Sequence, residues 1–355
     1  MVVHSMVSLA GQYTKLSFHE KTKKYYGKCP FCHSGSDVFC ADNKNAVFYC
    51  YGCGRHGTKA DFETLMKLKK AEPEPDIEEP DIVEIYEAAA GFYYETLMKN
   101  PYSRAYRYVT ETRNLNENAI ASFGLGFAPQ GYTFLYDFLK RKFDEKKIFR
   151  SGLVKKGKGE RPYDMFRNRI MFPILNRNGH VVAFGGRNLD DDNGPKYLNS
   201  AESRNFNKHR LLYGFQTAVT ASSTEKELVI CEGYMDLIAL QVNGIRNSSA
   251  VLGTALTKDH AGLIRCYYDK VCLALDSDGP GLRAAARSIP ILQDAGIQVS
   301  VLNFKPAKDP DEFIHKFGRE AFQERVRNEI DPSVFLVRAS IEPESELVTQ
   351  LIKKM

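Results

Sequence analysis

The sequence has no apolar run of membrane-spanning length and no signal peptide at its start, so neither a membrane partner nor secretion is expected. It has no internal repeat and no sustained heptads, which sets aside solenoids and coiled coils. It lacks the Gly-x-x-x-x-Gly-Lys-Ser/Thr phosphate loop. Gly157-Lys-Gly159 is followed by the wrong residues, so no P-loop motor is expected. Cysteine is sparse, with eight in 355 residues. Four stand in Cys-x-x-Cys pairs, and Cys40, Cys231, Cys266 and Cys272 stand singly in apolar surroundings. Without a secretion signal, this distribution points to a reducing cytoplasm and a metal site rather than disulfides.

What is present is ordinary globular composition, 43% hydrophobic and 26% charged, with length for two or three domains. The net charge of +5 hides an uneven distribution. Residues 1–70 carry eleven Lys/Arg against five Asp/Glu, and residues 71–87 carry eight acidic and no basic residues. Residues 140–213 carry eighteen basic against eight acidic. Two basic blocks flanking an acidic strap suit a polyanionic partner; a solvated lysine-rich surface is the alternative.

The acidic, proline-rich segment starting Ala71-Glu-Pro-Glu-Pro cannot bury a core and reads as an extended linker. Before it, short β-prone stretches at 24–28, 37–41 and 46–49, with a turn at 43–45, precede a helix from about Lys59 to Lys70. After it, helices are expected at 82–99 and 103–112. The stretch 115–150 reads as helical, interrupted at Phe123-Gly-Leu-Gly-Phe127. Strands follow at 170–174 and 181–184 around an Asn178-Gly179 turn. From Leu228, strands (228–231, 249–252, 271–275, 297–302) alternate with helices (234–243, 257–267, 280–294), which implies a parallel sheet covered on both faces. The expected units are a β-rich zinc ribbon (1–70), an acidic linker (71–84) and a basic α+β subdomain (85–225). A parallel-sheet α/β domain (226–306) and a C-terminal helical segment (307–355) follow.

Cys29-Pro-Phe-Cys32 and Cys50-Tyr-Gly-Cys53 are separated by seventeen residues. Each pair places two thiolates around one ion, and two pairs complete the tetrahedral shell that suits zinc. A closed four-sulfur shell leaves no open position, so one structural zinc is expected. His33, Cys40 and His56 are nearby but read as non-ligands.

A second constellation is acidic. Glu232 follows the strand Leu228-Val-Ile-Cys231, Asp236 lies one helical turn further on, and Asp276 and Asp278 follow the strand 271–275. Lys308-Asp-Pro-Asp-Glu312 adds Asp309 and Asp311. Any one of these aspartates reads as a helix N-cap. Together, at the C-terminal ends of successive strands, they converge on the crevice where open α/β sheets bind ligands. Their mutual repulsion calls for a hard, oxygen-loving cation such as Mg²⁺ or Mn²⁺.

Glu-Gly-Tyr-Met-Asp236 followed by Asp276-Ser-Asp-Gly-Pro-Gly281 resembles the Toprim signature. Phe166–Ile174, Ala183–Arg187, Pro195–Ser200, Lys208–Gly214 and Leu252–Ala255 look like the basic subdomain of bacterial DnaG-type primases. Gly11-Gln-Tyr13 and the cysteine pairs resemble that family's zinc domain, although Cys32 stands where the family usually has histidine. The resemblance runs collinearly from about residue 5 to 325. It implies a nucleotidyltransferase that joins ribonucleoside triphosphates on a single-stranded DNA template and leaves an RNA–DNA hybrid. It implies two or more catalytic Mg²⁺ or Mn²⁺ ions on Glu232, Asp276, Asp278, Asp309 and Asp311, with Asp236 in support. Glu232, Asp276 and Asp278 form the catalytic core, with a base role for Glu232 as the alternative. Arg187, Lys196 and Lys208 match the family's basic positions. Tyr197 and Asn199 stand as base or backbone contacts, with burial as the alternative, and Gly253 and Thr254 as backbone donors to phosphate. Tyr25, Tyr26, Phe48 and Tyr49 either stack template bases or form the zinc module's core. Family members carry a further domain that docks a replicative helicase; here only a short segment from Pro332 to Met355 follows, so a helicase stands as a possible partner whose docking domain is expected to be absent from this sequence. The rival reading is a Toprim-fold DNA-binding protein or recombination mediator without polymerase activity, which has no counterpart to residues 85–225.

Overall fold

The computed structural model describes residues 5–31, 38–51, 56–70, 79–190, 194–221 and 226–340. Cys32, His33 and Cys53, most of the acidic linker and the end of the C-terminal segment lie outside them. Among the described residues no helix is long and apolar enough to cross a membrane.

The N-terminal module places α1 (Met6–Ala10) before an antiparallel sheet of β1 (Leu16–His19), β2 (Lys24–Gly27), β3 (Phe39–Asp42), β4 (Val47–Cys50) and β5 (His56–Thr58), in sequential order. Helix α2 (Lys59–Lys70) closes it. The carboxylate of Asp42 accepts the N–H groups of Lys44 and Asn45 at 2.9 and 3.2 Å, which fixes the β3–β4 turn. The pleat sorts side chains by alternation. Phe39, Ala41, Phe48 and Cys50 face a core shared with Phe31 and Phe62. Tyr26, Cys40, Tyr49 and His56 form the next cross-strand row, on the opposite face. Phe48 is therefore core, while Tyr49 is 40% and Tyr51 65% exposed. Strands β1 and β5 are additions to the sequence reading.

Helix α3 (Pro80–Met98) starts with proline in its first turn, two residues ahead of expectation, and so takes in the last residues of the segment read as linker. Then come α4 (Arg104–Arg107), a five-residue π-turn (Tyr108–Thr112), α5 (Glu117–Phe123), β6 (Gly126–Ala128), α6 (Phe134–Leu139) and α7 (Glu145–Ser151). A hairpin of β7 (Val154–Lys156) and β8 (Pro162–Asp164) precedes β9 (Arg169–Leu175), β10 (Val181–Asn188), β11 (Tyr197–Asn199) and α8 (Phe215–Ala221). The sheet order is β11-β10-β9-β6. The aromatic interruption expected inside a helical stretch is thus an edge strand. Gly124, at φ +59°, ends α5 in the left-handed conformation. A Cβ on Gly126 would meet the Tyr93 backbone at 2.6 Å, so only glycine lets β6 lie under α3.

The C-terminal unit follows the expected alternation within a few residues. It runs β12 (Glu227–Cys231), α9 (Tyr234–Val242), β13 (Ser248–Ala250), α10 (Lys258–Arg265), β14 (Lys270–Leu273), α11 (Gly279–Asp294), β15 (Gln298–Val301), α12 (Pro310–Arg327) and α13 (Pro332–Ser340). The sheet is parallel, ordered β13-β12-β14-β15. Strand β12 feeds both faces: Val229 and Cys231 enter the core with α9 and α12, and Leu228 and Ile230 the core with α10 and α11. The first of these cores also contains Phe172 and Ile174 of β9, so the two sheets share apolar packing. Tyr234 is the main link. Its ring stacks on Phe172 at 4.8 Å and 17°, and its hydroxyl donates to Asn199 Oδ1 at 2.8 Å. A Cβ on Gly185 would stand 2.3 Å from the Tyr234 ring, so β10 admits the ring only because it has glycine there.

Candidate active site

In the zinc module, Cys29 and Cys50 are fully buried free thiols. Cys50 pairs across the sheet with Phe39, which pairs with Gly27, two residues before Cys29. The Phe31 N–H donates to Cys29 Sγ at 3.4 Å, a bond that favours a thiolate. Cys40 and His56 lie on the opposite face of the sheet from Cys50.

The acidic residues meet at the C-terminal edge of the parallel sheet. Glu232 directly follows β12, and its Oε1 accepts the backbone N–H of Asp276 at 3.2 Å. Asp278 caps α11 by accepting the Gly281 N–H at 2.8 Å, and Asp309 caps α12 by accepting the Glu312 N–H at 2.7 Å. Asp236, buried in the first turn of α9, accepts from the N–H groups of Gly233 at 3.1 Å and Asp311 at 3.4 Å. Asp311 pairs with Arg113 at 2.7 Å. Asp278 and Asp309 are held as helix caps, Asp236 and Asp311 accept from donors on distant segments, and Asp276 offers only its backbone N–H, so the cap reading applies to some of the cluster and not to all of it.

Their electrostatics are those of acids crowded away from water. Burial, then Glu232, Asp309 and Asp278, push the Asp276 carboxyl up to about 7. Burial and the charges of Asp276, Asp309 and Asp311 raise Asp236 well above the carboxylate range. Burial also raises Glu232 and Asp311. Asp276 Oδ1 is buried with no hydrogen-bond partner. An orphaned carboxylate oxygen among like charges fits a site for a hard cation. The group is gathered but not closed: among the described residues, no three of its ligand atoms lie within 4.8 Å of one another. The one trio that does is Glu227, Cys272 and Glu329, at the opposite end of the sheet. There the Lys270 ammonium already binds Glu227 at 3.0 Å and Glu329 at 2.7 Å.

A cavity of about 300 Å³ opens beside Glu232. Gly253 (φ +69°) and Thr254 line it, and Thr254 Oγ1 is buried with no partner. Arg187 is on β10, Lys196 immediately precedes β11, and Tyr197 is on β11. Among the described residues none of Arg187, Lys196 and Lys208 has a carboxylate within 4.0 Å. Arg187 Nη1 donates to Tyr197 Oη at 2.9 Å, while both ends of the Asn199 amide are engaged, with Tyr234 and with the Leu252 carbonyl at 3.0 Å. Lys208 sits on a loop clamped to α10. Thr257 Oγ1 donates to the His209 carbonyl at 2.6 Å, and Arg210 pairs with Asp259 at 3.1 Å.

Sequence reading missed Arg113 and Tyr108. Arg113 reaches Asp311 across 198 residues and also donates from Nε to Tyr108 Oη at 2.7 Å. No motif in Thr112-Arg-Asn-Leu115 signals this. The five-residue π-turn beside it is a feature that often marks a functional site, and it is visible only in the fold.

Residues 3–79 match a family model described as CHC2 zinc finger, and residues 92–219 the DNA primase catalytic core, N-terminal domain. Residues 229–314 match a Toprim-like model. Over 348 residues the chain is 38% identical to the DNA primase of Halalkalibacterium halodurans, covering 91% of this chain and 57% of that protein. The Aquifex aeolicus primase, with its zinc-binding and RNA polymerase domains, superposes at a TM-score of 0.66 and 29% identity, covering 92% of this chain and 83% of that one. The DnaG primase catalytic domain bound to ssDNA gives 0.66 at 33% identity, covering 77% of this chain and 91% of that one. The chain spans 55–62% of the length of the curated relatives it matches. With a zinc-ribbon region, a catalytic-core region and a Toprim region in collinear order, the chain belongs to the bacterial DnaG-type DNA primase family.

Proposed function

We propose that this chain synthesises short RNA primers on single-stranded DNA, as a DNA-directed RNA polymerase acting by nucleotidyl transfer. A 3′-hydroxyl attacks the α-phosphate of a ribonucleoside triphosphate, pyrophosphate leaves, and an RNA–DNA hybrid grows. The observation that carries this reading is the acid cluster with its orphaned Asp276 Oδ1, linked through Arg113 to the basic subdomain. Glu232, Asp276, Asp278, Asp309 and Asp311, supported by Asp236, would hold two or more Mg²⁺ or Mn²⁺ ions, which when bound supply nucleophile activation and leaving-group stabilisation.

The chain's own groups do the rest. Glu232 commits one oxygen to the Asp276 N–H and keeps the other for the crevice. Asp278 and Asp309 likewise use one oxygen as a cap. Arg187, Lys196 and Lys208, free of carboxylate partners among the described residues, offset phosphate charge. Gly253 and Thr254 offer donors at the crevice wall. Cys29, Cys32, Cys50 and Cys53 would hold one structural zinc. The outward Tyr26, Tyr49 and Tyr51 would stack template bases.

The test is incubation with single-stranded DNA, Mg²⁺ and labelled ribonucleotides, beside Asp276→Ala and Asp278→Ala. Short labelled RNA is expected from the parent and none from the variants. DNA binding without incorporation by the parent would favour the mediator reading instead.

A further inference from the structure

We propose that Tyr108 is a positioning residue that holds two guanidinium groups, Arg113 and Arg187, as a clamp for a polyphosphate. The inference rests on the polymerase reading only for the ligand's identity, the phosphate tail of a nucleoside triphosphate.

The geometry begins with the π-turn. The Arg113 N–H bonds the Tyr108 carbonyl at 3.0 Å, an i→i+5 closure that brings the two side chains to one side. Arg113 then donates from Nε to Tyr108 Oη at 2.7 Å and from Nη1 to Asp311 at 2.7 Å. Its charge is thereby shared with the acid cluster. Arg187 lies over the other working surface of the same residue, with its guanidinium carbon 5.2 Å from the Tyr108 ring centroid. It also lies over Tyr197, at 5.4 Å.

Two like charges therefore sit within 5.4 Å of one ring centroid. Arg113 has a carboxylate to offset it, and Arg187 has none among the described residues. Arg187 Nε is moreover buried without a partner. A guanidinium held against an aromatic face, uncompensated and with an idle donor, is set for a bidentate anion. Tyr108 is what makes the arrangement affordable: its hydroxyl fixes one cation and its π-face attracts the other. It touches no substrate itself and acts through the two arginines.

The two functions of Tyr108 separate by substitution. Tyr108→Phe keeps the ring and removes the acceptor for Arg113, while Tyr108→Leu removes both. Inorganic tripolyphosphate is the probe, titrated calorimetrically into the full chain at low salt without divalent ions. Tyr108→Leu should weaken binding about tenfold, and Tyr108→Phe about threefold, the scale of a partly desolvated cation–π contact and one hydrogen bond. In an Arg187→Ala background, Tyr108→Leu should cost less than it costs the parent, because the ring's contact with Arg187 is already gone and only its hold on Arg113 is left to lose. In primer synthesis, Tyr108→Leu should raise KM for ribonucleotides while kcat stays within about twofold.

Parent-like affinity in Tyr108→Leu overturns the proposal, as does a fully additive loss with Arg187→Ala. If Tyr108→Leu unfolds, Tyr108→Phe carries the test, and parent-like affinity there overturns the Arg113 half. A parent that binds tripolyphosphate through Tyr108 but makes no RNA sinks the polymerase reading and leaves this one standing. A parent that makes RNA while both variants bind normally sinks this one alone.

Discussion

The backbone N–H of Asp276 donates to Glu232 Oε1 at 3.2 Å, so the loops that follow β12 and β14 touch at the mouth of the crevice. The contact is backbone to side chain. It holds the two carboxylates near each other, and the Glu232 charge adds to the burial that raises the Asp276 carboxyl.

Gly281 permits that contact. A Cβ there would stand 2.2 Å from the Asp276 carbonyl oxygen and 2.9 Å from Glu232 Oε1, and backbone cannot rotate aside. Gly281→Ala should cost about 1–3 kcal/mol and weaken Mn²⁺ binding. Thermal melting and metal titration check it; a parent-like melt would show that the loop has slack.

The raised Asp276 carboxyl fixes a pH dependence. Between the ordinary value of 3.8 and about 7 the folded chain holds a proton that the unfolded chain has lost. This contribution therefore makes the metal-free protein less stable as pH rises through that window. Asp276→Asn should melt higher than the parent at pH 8, by on the order of 2 kcal/mol after allowance for solvent, with the gap closing near pH 4. Divalent cation should reverse the order at pH 8 by stabilising only the parent. Equal melting temperatures at pH 8 without metal would refute the shift.

His260 works in the opposite sense. Burial first, with the nearby His209, holds its imidazole down to about 4. Unfolded histidine takes up a proton near 6.5, so this stability is complete above that value and is lost as pH falls toward 4. Because the α10 N-terminus clamps the Lys208–Arg210 loop, acid should loosen that loop. His260→Gln should flatten the parent's loss between pH 6.5 and 5. Amide hydrogen exchange across residues 207–211 reads the local part.

Zinc should be a local folding cofactor. Metal analysis should find one zinc per chain, and Cys29→Ser should lose it. Chelation should then abolish exchange protection in β2–β4 while leaving β9, β10 and β12 unchanged. Loss of protection throughout would mean that the zinc module supports the whole chain.

The parallel sheet was legible because apolar stretches such as Leu228–Cys231 and Val271–Leu275 alternate with helical segments, and β12, β14 and β15 fell within a residue or two of expectation. Strands β6, β7, β8 and β11 were not, because three residues are too few to show a period. Alternation along β4 separates Phe48 from Tyr49, which the sequence reading had grouped, but it needs the register with β3 to say which faces inward. The acids were readable from their places after strands. Their partners were not: Arg113 meets Asp311 only through tertiary packing, and Asn199, read as a ligand contact or a buried residue, has its amide engaged at both ends within the protein.

The lodging of Tyr234 against Phe172 bears on how this chain can be taken apart. A cut between α8 and β12 would separate the two rings and strand apolar surface on each fragment, since one core draws on β9, α9 and α12 together. Fragments made separately should be sticky, whereas fragments produced in the same cell should reassemble. Any side chain at position 185 would first require a smaller one at position 234, whereas the reverse change asks nothing of Gly185.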